Sequence, residues 1–373
     1  MIYLDYAANT PVDPEVLETF CDVTRKYVAN PNSAHGLGRQ ANTCLEQATK
    51  KILELLDAEN REVVYTSGAT EANNLAIKGV AEKYKNYGRH IITTYLEHSS
   101  VNGAIAALQN AGFEIDYVDC DKDGLVDLGH LRELMRKDTI LVSACYVDSE
   151  AGVTQQIDKI GELIEEYPNC RFHVDATQAI GKVPLSLEKA DLYSFAPHKF
   201  YGLNGSGILV KKEDVLLETQ IHGGISISPY RSGTPALAMC AATAKALELA
   251  VESAGTRFEY VKRLNSTIRE AFKKYPKVKI NSTNYSSPYI LNISIMGVRT
   301  EEFRREMENL DVYLSTRSAC CAPNTVSRPI FAITKDRKRA MSPLRISLSH
   351  LTTMQEISEF LDRFDQCYRK LEH

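Results

Sequence analysis

The chain has 373 residues, 44% of them hydrophobic and 25% charged, proportions that exclude a disordered, collagen-like or coiled-coil protein. Lys plus Arg is 44 against 48 for Asp plus Glu, a formal net charge of −4, so a global nucleic-acid footprint is not expected. The longest apolar runs, such as Ile140 to Val147, fall far short of the roughly 20 residues a membrane helix needs.

Met1 to Asp5 shows no basic stretch followed by an apolar one, so no secretory leader is expected. The nine Cys are odd in number and scattered, which fits a reducing cytoplasm better than a disulfide framework. Leu371-Glu372-His373 reads as the start of an expression-tag remnant.

In chain order, Val63 to Tyr65 predicts a strand and Thr70 to Tyr87 a helix. His90 to Thr94, Glu114 to Val118, Ile140 to Tyr146 and Phe172 to Val174 read as buried strands. They are separated by helices near Ser99 to Ala111, Leu128 to Arg136 and Ile157 to Tyr167. Such alternation implies right-handed crossovers and a mostly parallel sheet, with ligands at the carboxyl ends of its strands. After Gly207 to Val210 the pattern changes to two long helices, Ala236 to Glu252 and Arg257 to Lys274. A strand at Tyr289 to Ile295 and helices at Thr300 to Asn309 and Thr352 to Leu371 follow. Ala322 to Pro343 reads as a long irregular stretch.

Six segments have the composition of a reaction site. Lys199, in Ser194-Phe195-Ala196-Pro197-His198-Lys199, ends a predicted strand, where a Schiff-base lysine would sit, although most lysines are solvated surface groups. Asp175 follows a buried strand, placed either to pair with a pyridinium nitrogen or to cap the next turn. Thr66-Ser67-Gly68-Ala69-Thr70 joins a strand to a helix, as a phosphate-binding helix start or a plain N-cap. His98 lies just after another strand, where an imidazole stacks on a planar ring or serves as a hydrogen-bonded structural residue. Cys320 and Cys321 are adjacent thiols at the edge of the irregular stretch, suited to a nucleophile or to two buried small side chains. Without a C-x-x-C or a matching His pair they are poor zinc ligands, and no metal is expected. Arg345, inside the apolar Pro343 to Leu348, needs an anion, either a substrate carboxylate or an internal acid.

Together and in this order these segments resemble the cysteine desulfurases of the class V aminotransferase group, which use pyridoxal phosphate. The resemblance runs from Tyr3-Leu4-Asp5-Tyr6-Ala7-Ala8-Asn9-Thr10-Pro11 through Asn30-Pro31-Asn32-Ser33-Ala34-His35, Gln220 to Gly224 and Tyr230-Arg231-Ser232-Gly233-Thr234 to Leu351-Thr352-Thr353. It implies a fold-type I α/β enzyme. Residues 14–255 would form the large, mostly parallel-sheet cofactor domain, and residues 1–13 and 256–370 a smaller α+β domain carrying the catalytic Cys loop, with 371–373 as the remnant.

The resemblance also implies roles. Lys199 would carry the cofactor covalently, Asp175 would keep its pyridine nitrogen protonated, Gln178 would bond its ring hydroxyl, and His98 would stack on the ring and shuttle protons. Thr70 and His198 would hold the phosphate beside Ala69, with Thr234 reaching across from the second subunit of a homodimer. Arg345 would fix the carboxylate of L-cysteine, and Cys320 would take the sulfur as a persulfide, leaving alanine. The long spacing from Cys320 to Arg345 resembles the subgroup that passes sulfur to an acceptor protein. The basic run Lys335 to Arg339 is either a partner contact or a solvated face.

The chain departs from the family pattern at several positions, Cys321 beside Cys320 among them. Ser149 stands where an Asn normally touches the ring hydroxyl and the substrate, Ala196 where a phosphate-binding Ser is common, and Leu203-Asn204 where Pro-Lys is frequent. Each lost hydrogen bond to a charged group costs about 1.5–3 kcal/mol unless a neighbour substitutes. A selenocysteine lyase, another class V enzyme, and a low-activity scaffold that needs a partner are the alternative expectations.

Overall fold

The computed structural model describes residues 1–224, 226–316 and 326–371. The chain opens with β1 (Ile2–Tyr3), α1 (Pro14–Lys26) and α2 (Gly36–Leu55). It then alternates β2 (Arg61–Thr66), α3 (Ala69–Tyr84), β3 (His90–Thr94), α4 (Ser99–Asn110), β4 (Glu114–Val118), α5 (Leu128–Leu134), β5 (Thr139–Cys145), α6 (Ile157–Ile164) and β6 (Arg171–Asp175). The strands β7 (Leu192–Phe195) and β8 (Gly207–Lys212) follow. These strands form a seven-stranded sheet in the order β2-β8-β7-β6-β5-β3-β4. All of its neighbours run parallel except β8, which is antiparallel to both β2 and β7.

The sheet is covered on both faces, and the strand sequences show why. Successive side chains point to opposite faces. Ile91, Leu141, Leu192 and Leu209 pack with Ala72, Leu75 and Ala76 of α3 and with Val101, Ala104 and Ile105 of α4. Their neighbours Ile92, Val142, Tyr193, Ile208 and Val210 pack on the other side against residues of α2, α5, α6 and α7. Both faces therefore bury apolar residues, and all seven positions of β5 are buried. Burying one such large side chain stabilises the fold by about 1.5–3 kcal/mol.

The remainder comprises α7 (Leu237–Phe272), β9 (Val278–Ile280), β10 (Ile290–Ile295), α8 (Thr300–Asn309), β11 (Val312–Tyr313), α9 (Arg328–Thr334), α10 (Arg337–Met341), β12 (Pro343–Ser347) and α11 (Met354–Leu371). A three-stranded antiparallel sheet, β12-β10-β9, lies on a separate core built from α7, α8 and α11, and Ile2 and Leu4 complete that core.

The structure corrects the two-helix expectation for residues 236–274, because α7 is a single helix of 36 residues. Gly255 lies within it and weakens it by about 1 kcal/mol relative to Ala. Packing on either side outweighs that loss: Ala246, Leu247 and Ala250 sit in the core of the large sheet, and Val261, Leu264 and Ile268 in the second core. The irregular stretch from Ala322 to Pro343 is also corrected, since its described part holds α9 and α10. Ser327 caps α9 by accepting from Ile330 N, and Asp336 caps α10 by accepting from Lys338 N and Arg339 N. Within the basic run, Arg339 turns inward and donates to Asn281 Oδ1 at 2.9 Å and Ile280 O at 2.7 Å, leaving Lys335, Arg337 and Lys338 exposed. No helix among the described residues is long and apolar enough to cross a membrane.

Candidate active site

Four strands of the large sheet deliver side chains to one place at their carboxyl ends. β6 ends on Asp175, level with Cys145 of β5 and Ser194 of β7. β7 leads through a single 3-10 turn, Pro197–Lys199, to Lys199. β3 leads to His98, which caps α4, and β2 leads to Gly68, which caps α3. Ala69, Thr70, His98, Ser149, Asp175, Gln178, His198, Lys199 and Arg345 all line one cavity of ≈ 300 Å³. Nine residues singled out along 277 positions of sequence thus share one wall.

The helix start at α3 is open. No side chain caps α3, and its Gly68 N-cap faces open space where a Cβ would stand. Free backbone N–H groups at the positive end of a helix dipole are the general anion site. Gly207 holds this turn in place from beneath: a Cβ there would meet Gly68 C at 2.3 Å, so only glycine permits the approach.

Lys199 Nζ donates to Ala7 O at 2.9 Å and Ala8 O at 2.7 Å. Asp175 is buried, and its two oxygens accept from Asn73 Nδ2 at 2.8 Å and Thr177 N at 3.0 Å. Asn73 also donates to Ser100 Oγ, which contacts His98 Nδ1 at 2.9 Å, so one hydrogen-bonded chain joins His98 to Asp175. Burial holds the His98 imidazole below its ordinary 6.5. Lys199 and Arg345 act in the same direction and Asp175 opposes them. His198 is pushed down to about 4 by burial and then by Lys199 and Lys182.

Arg345 is 1% exposed. Its Nη2 donates to Asp5 Oδ1 at 2.7 Å and its Nη1 to Ser149 O at 2.8 Å, while its buried Nε has no partner. The internal acid weighed for this Arg is therefore present, and a donor remains for a second anion. Gln178 donates from Nε2 to Ala7 O and accepts at Oε1 from Lys182 Nζ, both at 2.9 Å.

Two of the expected residues stand apart. Thr234 is exposed and lines a neighbouring pocket with Ser67, Ser206 and Arg231 instead of the cavity of Lys199. Cys320, like Cys321, lies outside the described residues. The described positions on either side are tied to acids beside the cavity, Ser315 Oγ to Asp5 Oδ2 and Ser327 Oγ to Glu150 Oε2. Ala196 is fully buried and takes no part in the cavity wall.

Sequence reasoning missed Asp5, Asn73, Lys182 and the carbonyls of Ala7 and Ala8. Asn73 left a signal, a polar residue between the buried Ala72 and Leu75 on one helix. Asp5 left none, because its partner is 340 residues away.

The class V aminotransferase family model matches residues 2–360. A NifS/IcsS protein homolog from Lactobacillus delbrueckii subsp. bulgaricus is 36% identical over 99% of this chain and 97% of the relative. The cysteine desulfurase IscS of Proteus mirabilis is 38% identical over 99% of this chain and 93% of the relative. The solved structure of a NifS-like protein superposes with a TM-score of 0.92 at 34% identity, covering 99% of this chain and 100% of that one. On sequence and fold alike, the chain belongs to the class V aminotransferase family, within its cysteine desulfurase group.

Proposed function

We propose that this chain is a pyridoxal phosphate-dependent cysteine desulfurase that converts L-cysteine to L-alanine and passes the sulfur to an acceptor protein through a Cys320 persulfide. The observation that carries the reading is the convergence of Lys199, Asp175, His98 and Arg345 on one cavity with an uncapped helix start in its wall. These residues fit the cofactor. The α3 N-terminus with Thr70, and His198 beside it, would hold the phosphate. Asp175, kept in place by Asn73, would pair with the ring nitrogen, Gln178 would face the ring hydroxyl, and Lys199 would be the covalent anchor. When bound, pyridoxal phosphate supplies the electron sink that lets a substrate carbon lose a proton.

The chain's own groups do the rest. Arg345, with its unpartnered Nε, holds the substrate carboxylate. His98, neutral near pH 7, accepts and returns a proton. The Cys320 thiolate attacks the substrate sulfur, forming an S–S bond as the C–S bond breaks. L-cysteine plus the protein thiol therefore becomes L-alanine plus the protein persulfide, with no outside oxidant. The exposed placement of Thr234, off the cavity wall, supports its service in a second subunit of a homodimer. We also read residues 14–255 and the two flanking segments as separate domains, supported by their distinct cores, and the protein as cytoplasmic.

The test is alanine formation from L-cysteine by the cofactor-loaded protein, with persulfide trapped and mapped by peptide mass. Alanine together with sulfur on Cys320, both lost in Cys320→Ala while the cofactor colour stays, supports the reading. Absence of alanine and persulfide in the unmutated protein overturns it.

A further inference from the structure

Lys182 does not line the cavity, yet its side chain is only 7% exposed. Among the described residues it has no acidic partner within ion-pair distance, and Lys199 and Arg345 are the charges near it. Burial, and then Lys199 and Arg345, push this lysine down to about 7, the mark of a position that costs stability, so it calls for a reason other than stability. Its hydrogen bond goes to Gln178 Oε1 at 2.9 Å.

The other end of the same amide donates to Ala7 O at 2.9 Å, a carbonyl that also accepts from Lys199 Nζ. A carbonyl only accepts, so the end of the amide that meets Ala7 O is the nitrogen, and the oxygen is left to accept from Lys182 Nζ. The two neighbours therefore fix the Gln178 amide at both ends, with oxygen toward Lys182 and nitrogen toward Ala7. One N–H of Gln178 is spent on Ala7, and the second is left for the cavity that Gln178 lines. No other carboxamide lines that cavity among the described residues. Ser149 offers only a hydroxyl in place of an amide, and its carbonyl is occupied by Arg345 Nη1.

We infer that Lys182 is a positioning residue that locks Gln178 as a hydrogen-bond donor toward the cavity, so that the oxygen of the bound ring beside it is held in its deprotonated form. This rests on the cofactor reading given above. Without Lys182 the amide can turn over and present its carbonyl, an acceptor that disfavours an oxyanion.

The experiment follows the visible absorption band of the cofactor-loaded protein against pH, together with cofactor retention on dilution. It compares the unmutated chain with Lys182→Met, Gln178→Leu and the double variant. Lys182→Met should raise the pH midpoint of the band by about one unit and weaken retention about tenfold, because the chromophore takes up its proton more readily. The double variant should match Gln178→Leu alone. Should Lys182→Met fail to fold, Lys182→Gln serves, since its own amide presents either oxygen or nitrogen and no longer fixes Gln178. An unshifted midpoint overturns the inference. So does a shift that persists in full in the Gln178→Leu background, which would mean that Lys182 acts by its charge alone. A complete lack of a visible band in the unmutated protein with added pyridoxal phosphate would instead overturn the cofactor reading, and the inference with it.

Discussion

Arg345 and Asp5 form an ion pair, Nη2 to Oδ1 at 2.7 Å, across 340 residues of sequence, with the Arg side chain 1% exposed and the Asp 20%. The second Asp5 oxygen accepts from Ser315 Oγ at 2.8 Å, and Ser315 pairs with the Arg345 backbone. One carboxylate thus orients the guanidinium that lines the cavity and ties Ser315 beside it.

Removing that carboxylate leaves a buried guanidinium uncompensated. Asp5→Ala should destabilise the protein by roughly 3–5 kcal/mol, measured by denaturant unfolding. The Asp5→Leu/Arg345→Met double variant should recover part of the loss, while showing a greatly raised KM for L-cysteine. A double variant no more stable than Asp5→Ala would contradict the pairing.

His98 is held below its ordinary 6.5 by burial, Lys199 and Arg345. It is therefore neutral near pH 7, and protonation removes the base only as pH falls through its lowered value. The acid limb of kcat against pH should lie below 6.5. His98→Gln should lower kcat by about 10²–10⁴ and abolish that limb. A limb above 6.5, or one unchanged in the variant, would count against the assignment.

Lys199→Ala should leave the fold intact while eliminating borohydride-fixable cofactor from the peptide that contains position 199. Peptide mass mapping after reduction reads this directly. Label still found on that peptide would show that another group in it is the anchor.

Glu97 is buried next to His98 in the chain. Its Oε1 accepts from Thr94 Oγ1 at 2.8 Å and Cys145 N at 2.7 Å, and its buried Oε2 has no partner. Burial, aided by nearby Asp175, pushes this carboxyl from 4.5 up to about 8. An unfolded chain loses that proton near 4.5 and the folded one keeps it to about 8, so the folded state binds more protons in between. The stability it contributes is complete below 4.5 and is lost as pH rises toward 8. Glu97→Gln keeps the acceptor and removes the titration. Its advantage over the unmutated chain should be small at pH 4.5 and grow to at most about 5 kcal/mol by pH 8. Parallel stability curves for the two proteins would show that Glu97 is ionised in the fold.

The alternating strands were legible because each carries a local pattern. β3 and β4 fall where β-branched and apolar runs place them, and α8 begins and ends at Thr300 and Asn309 as its periodicity suggests. The alternating pattern begins only at residue 63, although Asp13 accepts from Glu15 N and Pro14 opens α1, which is an ordinary helix-start signature. The single helix α7 is not legible locally, because it is packing against two cores that carries it through Gly255.

Within the site, Lys199, Asp175 and His98 are legible as polar residues following buried strands and Arg345 as a charge inside an apolar one, and their order along the chain resembles one family. Asp5, Asn73 and Lys182 are not. Their significance lies in the partners they meet, and hydrogen bonds between distant segments leave no trace in local composition.

The sequence by itself determined the residue types available for chemistry, the alternation of strand and helix, and the membership that follows from motif order. Those properties depend on short-range periodicity and on chemical identity. Tertiary structure alone decided that Ala7 O receives both Lys199 and Gln178, that Asp5 faces Arg345, and that Lys182 is buried behind the site. The physical reason is that hydrogen-bond partners and desolvation are set by which segments the sheet brings within 3 Å, and that proximity exists only once the chain has folded.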